Sequence, residues 1–288
     1  MSIFDEAGLY ASERIINSSW SDRAFPSFGI SDQLFPDSFY SLIESEWPRD
    51  QFFTKMPDHR SKTKDFLLGS SLTLLPDRER KELPLVSENT AKFWKDFSEI
   101  SLEQYIFPSL MEKYQPLIQL RLGDKVGKLK YWWHVKLWNY YPGYKTPPHT
   151  DAPCTLLNNI VYVPESLTDK EYGLSLYKPK DCLYSDMGND INNPNECTTI
   201  YEEIESIPYT ANSLFSFFKT SNCHHGFAYK SVNPSSIRRT IMFRLRIDWQ
   251  SLAQLYGQDI ADNVFIKRTH RHNEIISSEL KRCESSKP

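Results

Sequence analysis

Long hydrophobic runs, paired cysteine motifs and blocks of like charge are all missing from this chain of 288 residues. No apolar stretch approaches the roughly 20 residues that a membrane-spanning helix needs. The opening ten residues lack the basic and apolar regions of a secretory signal. Five cysteines without C-x-x-C spacing indicate neither a disulfide framework nor a zinc site. A net charge of −3 without a charged run provides no electrostatic footprint for nucleic acid. We therefore expect a cytoplasmic protein with no membrane or nucleic-acid partner.

Aromatic residues are abundant instead, at 14% of the chain, and hydrophobic residues make up 40%. This content suits a β-sandwich or barrel whose interior is lined by rings. A chain of this length can bury a sizeable core as one large domain with helical additions. The periodicity predicts a helical and strand support region over 1–118, a strand-rich core over 119–250 and a helical extension over 251–288. Within the core, residues 119–135 are expected to form a strand pair that turns at Gly123-Asp124.

The most informative stretch, residues 137–164, reads LWNYYPGYKTPPHTDAPCTLLNNIVYVP. The β-branched and aromatic run that begins at Val135 and continues into this stretch is broken by Pro142-Gly143, which predicts a strand followed by a loop. His149 and Asp151 then stand two residues apart on extended chain and should point to the same side. One imidazole and one carboxylate on one side make up two-thirds of the ligand set that open-sited ferrous oxygenases use.

A second segment, residues 212–247, carries a histidine pair and an arginine pair. His225 is favoured over His224 as a third metal ligand, because Gly226 allows a close backbone approach. His224 stays an alternative, since adjacent residues on extended chain face opposite ways and only one can point at the site.

The strand predicted over 237–247 alternates between two faces. One face carries Ile241, Phe243, Leu245 and Ile247, and the other carries Arg238, Thr240, Met242, Arg244 and Arg246. An arginine fork binds a carboxylate through two hydrogen bonds. Arg238 is favoured over Arg239 for this role because Arg238 shares a face with Thr240, whose hydroxyl can bind the same carboxylate.

This combination of motifs, in order as well as content, resembles the Fe(II)/2-oxoglutarate-dependent oxygenases, in particular their prolyl-hydroxylase-like branch. The resemblance covers roughly residues 132–249. It is carried by Tyr141-Pro142-Gly143, the H-x-D of His149 and Asp151, Ile160-Val161-Tyr162-Val163, His225-Gly226 and Arg238-Arg239-Thr240. One departure is visible, because the Gly-Gly pair that usually precedes one strand of this branch is Tyr172-Gly173 here.

The resemblance implies a mainly β fold with flanking α-helices, a double-stranded β-helix (jelly roll, cupin-like). It implies that Fe(II) is held by His149, Asp151 and His225. The cosubstrate 2-oxoglutarate would be bound by Arg238, Tyr141, Tyr162 and Thr240, and O₂ would complete the reactants. Both tyrosines equally suit a different role as rings that fill the barrel.

The activity that the resemblance implies is hydroxylation of an unactivated C–H bond, with release of succinate and CO₂. Halogenating relatives replace the aspartate ligand by a small residue, so Asp151 favours hydroxylation, or a desaturation or cyclisation variant. The sequence has no evident peptide-docking module. This favours a small biosynthetic substrate such as an amino-acid derivative, a natural-product intermediate or a glycan intermediate. A protein or peptidyl-prolyl hydroxylase and a non-catalytic cupin-like binding protein are the alternatives.

Two further segments carry expectations of their own. Residues 178–199 are rich in Asn and Asp without periodicity, which is typical of a lid over the substrate or of a surface insertion. The helical pattern of residues 251–283 leaves open whether these helices dock on the barrel or on the second subunit of a homodimer.

Overall fold

The fold consists of two antiparallel sheets with helices packed on one of them. The computed structural model describes residues 1–21, 23, 25–55, 63–67, 87–165, 172–179, 201–220, 223–228 and 237–259. No helix in these ranges has the length and apolar character to cross a bilayer.

In the described ranges, five α-helices flank the sheets. They are α1 (Ile3–Asn17), α2 (Asp37–Ser45), α3 (Glu88–Asp96), α4 (Phe107–Leu122) and α5 (Trp249–Tyr256). A π-helical stretch, Phe97–Ile106, joins α3 to α4, and short 3₁₀ turns cover Asp50–Phe52 and Gly123–Lys128.

Eleven strands are described. They are β1 (Ser27–Ile30), β2 (Thr54–Lys55), β3 (Thr63–Leu67), β4 (Tyr131–Tyr140), β5 (Lys145–His149), β6 (Thr155–Tyr162), β7 (Leu174–Pro179), β8 (Tyr201–Ile207), β9 (Ser213–Phe218), β10 (His225–Ala228) and β11 (Arg238–Ile247). The large sheet has the order β1-β9-β6-β11-β4-β3-β2, and the small sheet has the order β5-β10-β7-β8. From β4 to β11 the chain therefore moves between the two sheets as a jelly roll requires. This confirms the predicted fold class.

Strand β11 lies near the centre of the large sheet, between β4 and β6. Its apolar face is almost fully buried and joins the core cluster that also contains the helices. Its other face carries Arg238, Thr240 and Met242 into the space between the sheets. The predicted alternation of this strand is therefore observed, and it separates a helix-packed core from a ring-lined interior.

Helix α4 and the segment before it attach the helices to the outer face of the large sheet. The ring of Phe107 stacks on Trp133, with centroids 4.0 Å apart and an interplanar angle of 7°. The Tyr114 hydroxyl and the Ser216 hydroxyl are 2.8 Å apart in a fully buried hydrogen bond. Each such ring contributes about 2 kcal/mol or more when it is removed from water.

The expected strand pair over residues 119–135 is wrong. Helix α4 continues to Leu122, which is buried together with Ile118 one turn earlier. Gly123 has a positive φ of 56° and ends the helix rather than turning a hairpin. The first strand of the jelly roll therefore begins at Tyr131, not at residue 119. A glycine followed by an aspartate marks both kinds of chain reversal, so sequence alone could not separate them.

The C-terminal helix is short in the described part of the chain. Helix α5 starts behind the N-cap Asp248, whose carboxylate accepts hydrogen bonds from two backbone amides, and ends at Gly257, which has a φ of 96°. Residues 260–283 lie outside the described residues, as do residues 180–199 of the expected lid. The homodimer and the lid therefore stay predictions.

Gly173 is expected to tolerate no side chain. A Cβ at this position would overlap the backbone carbonyl of Ile207, which cannot move without disturbing the pairing of β7 with β8. We expect Gly173→Ala to lower the free energy of unfolding by about 3 kcal/mol or more, measured by urea denaturation. Gly29→Ala is the matched control in a strand, since its nearest contact would be an ordinary 3.8 Å. A similar loss in both variants would contradict the prediction.

Candidate metal centre

Three side chains meet at the end of the interior where β5 and β10 lie side by side. His149 is the last residue of β5 and His225 is the first of β10, and the two are direct cross-strand neighbours. Their ring centroids are 4.5 Å apart. Asp151 follows two residues after His149, and one ligand atom from each of the three lies within 4.8 Å of the others. The predicted H-x-D and distal histidine are thus brought together.

Asp151 is held as a carboxylate by its neighbours. It is 6% exposed, and its Oδ2 accepts a hydrogen bond of 3.0 Å from the side-chain amide of Asn158. Its Oδ1 lies 3.7 Å from Nη2 of Arg244. Burial by itself would raise the pKa of Asp151, but the positive charge of Arg244, the two histidines and the Asn158 hydrogen bond outweigh it and hold the pKa well below its ordinary value.

His225 is presented as a neutral ligand. Its Nδ1 lies 2.9 Å from the backbone carbonyl of Cys223, which accepts a hydrogen bond from the protonated nitrogen. Nε2 is then directed toward Asp151, 3.8 Å from Oδ2. Burial lowers the pKa of His225, which favours the uncharged imidazole that a metal ion requires.

The neighbouring alternatives point elsewhere. His224 is buried, and its ring lies 4.8 Å from that of Tyr201 on β8, outside the cluster of three. Arg239 lies over the ring of Trp47 and forms an ion pair with Glu165, on the face of β11 away from the interior. Both differences follow from the alternation of side chains along an extended strand.

Arg238 lies deep in the interior and is 2% exposed. Its Nε donates a hydrogen bond of 2.6 Å to the backbone carbonyl of Tyr172. The guanidinium carbon lies 4.2 to 5.4 Å from the centroids of four rings, those of Phe227, Tyr140, Tyr209 and Tyr162. Phe227 is two residues from His225 on β10, so this guanidinium lies beside the three-residue cluster. No acidic side chain of the described residues forms an ion pair with it.

Two hydroxyls face the same interior. Thr240 and Tyr162 are direct neighbours across β11 and β6, and both side chains are fully buried. Neither hydroxyl makes a hydrogen bond of good geometry within the described part of the chain. Burial raises the pKa of Tyr162 to about 12, against the opposing effect of Arg238, so the phenol stays protonated and can donate.

Tyr141 does not lie beside Arg238. Its hydroxyl donates to the carboxylate of Asp50, which also accepts from Asn139 on the outer side of β4. Tyr140 takes the interior position instead, directly opposite Arg238 in the pairing of β4 with β11. The predicted alternation of β11 does not identify this partner, because the register between two strands is not encoded in either one alone.

The sequence did not identify Asn158 as a site residue, and it did not identify Arg244 as a neighbour of Asp151. The signal available for Asn158 was an amide pair in a largely apolar strand, since a buried amide must find hydrogen-bond partners. The alternation of β11 predicts the interior face for Arg244, but its contact with Asp151 depends on how the loop after β5 folds back.

This donor set fits a ferrous ion. Two imidazoles and one carboxylate are the donor set of the open-sited non-haem iron oxygenases. The buried guanidinium beside them fits an anionic cosubstrate, because a buried charge without a counter-charge is costly.

No protein-family model matches this chain, and no curated protein is significantly similar to it. Several solved structures are similar to it at low identity. A prolyl-4-hydroxylase from Pseudomonas putida aligns over 82% of this chain and 96% of its own, with 12% identity and a TM-score of 0.37. A dioxygenase for auxin oxidation from Arabidopsis thaliana, in complex with 2-oxoglutarate, aligns over 82% and 87%, with 9% identity and a TM-score of 0.49. The non-haem α-ketoglutarate-dependent epimerase SnoN from nogalamycin biosynthesis aligns over 83% and 84%, with 10% identity and a TM-score of 0.42.

Removing the Asn158 amide is expected to weaken metal binding. Asn158→Ala leaves the Asp151 carboxylate without its donor, and we expect the affinity for Co(II), a redox-stable substitute for Fe(II), to fall by about 10-fold to 100-fold. The adjacent Asn159 bonds to the Phe243 carbonyl and to Ser216 instead, so Asn159→Ala should lower the melting temperature but preserve the metal affinity of the folded protein. Equal metal affinities in wild type and Asn158→Ala would show that the amide does not support the site.

Proposed function

We propose that this protein is an Fe(II)- and 2-oxoglutarate-dependent oxygenase that hydroxylates an unactivated C–H bond of a small biosynthetic molecule, releasing succinate and CO₂. The observation that carries the proposal is a His-Asp-His cluster next to a buried arginine that lacks an acidic partner in the described residues. A cluster of this kind can hold several metal ions, and a buried arginine can bind many anions. Their adjacency matches a metal ion and a dicarboxylate bound side by side.

His149, Asp151 and His225 would hold the iron. Three protein ligands would leave further coordination positions on the metal for the cosubstrate and for O₂. When bound, the metal and 2-oxoglutarate supply the oxidising chemistry, and the protein supplies position and surroundings. Asn158 and the Cys223 carbonyl have the supporting role here, because they orient the carboxylate and one imidazole.

Arg238 would bind the far carboxylate of 2-oxoglutarate. Its Nε is occupied by the Tyr172 carbonyl, which fixes the plane of the guanidinium and directs the terminal nitrogens away from that contact. A carboxylate fits such a planar fork through two charge-assisted hydrogen bonds. The hydroxyls of Tyr162 and Thr240, both without good hydrogen bonds among the described residues, can complete its coordination.

The surrounding rings would keep water out of this end of the interior. Trp138 and Tyr140 stack with centroids 5.6 Å apart, and Phe227 meets the edge of Tyr140 at 4.9 Å. An interior packed with rings lowers the effective dielectric constant and strengthens the contact between Arg238 and a bound carboxylate. It also limits the dimensions of a substrate, which supports a small molecule.

The proposal is tested by anaerobic addition of Fe(II) and 2-oxoglutarate to the purified protein. We expect a visible charge-transfer band from the chelate in wild type and none in His225→Ala, which lacks an iron ligand. Arg238→Met should raise the 2-oxoglutarate concentration at half-saturation roughly 30-fold or more, because a charged hydrogen-bonded partner is lost.

Two adjacent residues supply the controls. His224→Ala and Arg239→Ala remove the same chemical groups one position away, where the side chains point out of the site. Both should give the wild-type band, with folding checked by circular dichroism. Absence of the band in wild type, or a band that survives in His225→Ala, would refute the assignment.

A further inference from the structure

A second arginine lies on the interior face of β11, at the other end of the strand's interior side from Arg238. Arg244 approaches Asp151 with Nη2 at 3.7 Å and Asn158 with Nε at 3.4 Å. Its side chain is 22% exposed, whereas Arg238 is buried. Six residues of extended strand separate the two, roughly 20 Å along the backbone. The deep arginine is therefore sealed by rings, and the other is reached from solvent.

Ring surfaces and a third arginine lie beside Arg244. Residues Arg244 and Arg246 are paired across β4 with His134 and Trp132. The guanidinium of Arg246 lies 5.1 Å from the Trp132 ring, whose edge meets the ring of His134 at 5.6 Å. The result is a cationic patch beside the candidate metal centre, flanked by two rings that meet at 68°, in which Arg246 is itself buried.

The charges of these arginines have little compensation within the described ranges. The carboxylate that pairs with Arg244 there is Asp151, which is also the one that would hold iron. Arg246 has a cysteine sulfur, Cys154 Sγ at 2.9 Å, and no acidic ion-pair partner among the described residues. A thiol is a weak hydrogen-bond acceptor and supplies no charge when it is protonated.

Once iron and 2-oxoglutarate are bound, the negative charge of Asp151 would be paired with iron and would no longer compensate Arg244. The charges of Fe(II) and Arg238 are matched by Asp151 together with the 2-oxoglutarate dianion. Arg244 and Arg246 are then left without counter-charges next to the place where a substrate must lie. Guanidinium groups in this position are the usual means of fixing a carboxylate or a phosphate.

Resting on the proposed function, we propose that the substrate carries an anionic group, a carboxylate or a phosphate, which Arg244 binds beside the metal while Trp132 contacts the body of the molecule. The anion would replace Asp151 as the principal partner of Arg244 once Asp151 is engaged by iron. It would also fix the distance between the charged group and the C–H bond that reacts. Arg246, stacked on Trp132, would add to the positive potential that attracts the substrate.

The test measures binding rather than turnover. Protein loaded with Zn(II) and 2-oxoglutarate, which cannot react, is titrated with 4-fluorophenylacetate, 4-fluorobenzyl phosphate and the uncharged 4-fluorophenylacetamide, observed by fluorine NMR. We expect at least one anion to bind about 10-fold or more tightly than the amide. Arg244→Gln should remove this preference, Arg244→Lys should retain part of it, and Arg239→Gln on the outer face should retain all of it. The anion that binds more tightly shows whether the charged group of the substrate is a carboxylate or a phosphate.

Four outcomes would overturn the inference. The first is that neither anion binds wild type at concentrations up to about 10 mM, the range in which a single charged contact is detectable. The second is that the amide binds as tightly as the anions. The third is that the preference for the anion persists in Arg244→Gln. Added 2-oxoglutarate that displaces the anion would likewise place it at Arg238 rather than Arg244. The Fe(II)–2-oxoglutarate band is recorded for wild type and Arg244→Gln. If wild type gives a normal band but shows no preference for an anion, only the proposal of an anionic substrate is rejected. If wild type gives no band, the proposed oxygenase function is rejected.

Discussion

The two-residue period of β11 is the constraint on which the rest of this structure depends. The strand is paired along its length with β4 on one side and along most of it with β6 on the other. A slip of one residue would exchange its faces, exposing Phe243 to the interior and directing Arg238 into the helix-packed core. The apolar burial that attaches the helices to the large sheet thus also determines which side chains line the site.

The candidate metal centre joins the two sheets. Both histidines belong to the small sheet, where β5 and β10 place them opposite one another. Asp151 lies in the connection to the large sheet and is held there by Asn158 of β6. Docking of the sheets is therefore needed before the three ligand atoms come together. A partly folded chain with only one sheet formed would have two ligands at most.

The interior combines buried charges with an aromatic lining, which is an expensive arrangement for a protein without ligands. Arg238 lies among four rings that stabilise a cation only weakly compared with a carboxylate. A ligand that supplies the missing negative charge would bind the folded state selectively and stabilise it. The excess of positive charge is thus consistent with a site that binds anionic partners.

Local pattern determined much of this protein. The jelly roll was implied by the resemblance that the motifs carry. The proximity in sequence of His149 to Asp151 and the shared face of Arg238 and Thr240 follow from motif spacing and strand periodicity, which are properties of short segments. Their functional roles stay predictions. Only the tertiary structure decided that Tyr140 rather than Tyr141 faces Arg238, that Gly123 ends a helix, and that Arg244 reaches Asp151. Each of these depends on register or on contacts between distant segments, which the period of a single segment does not contain.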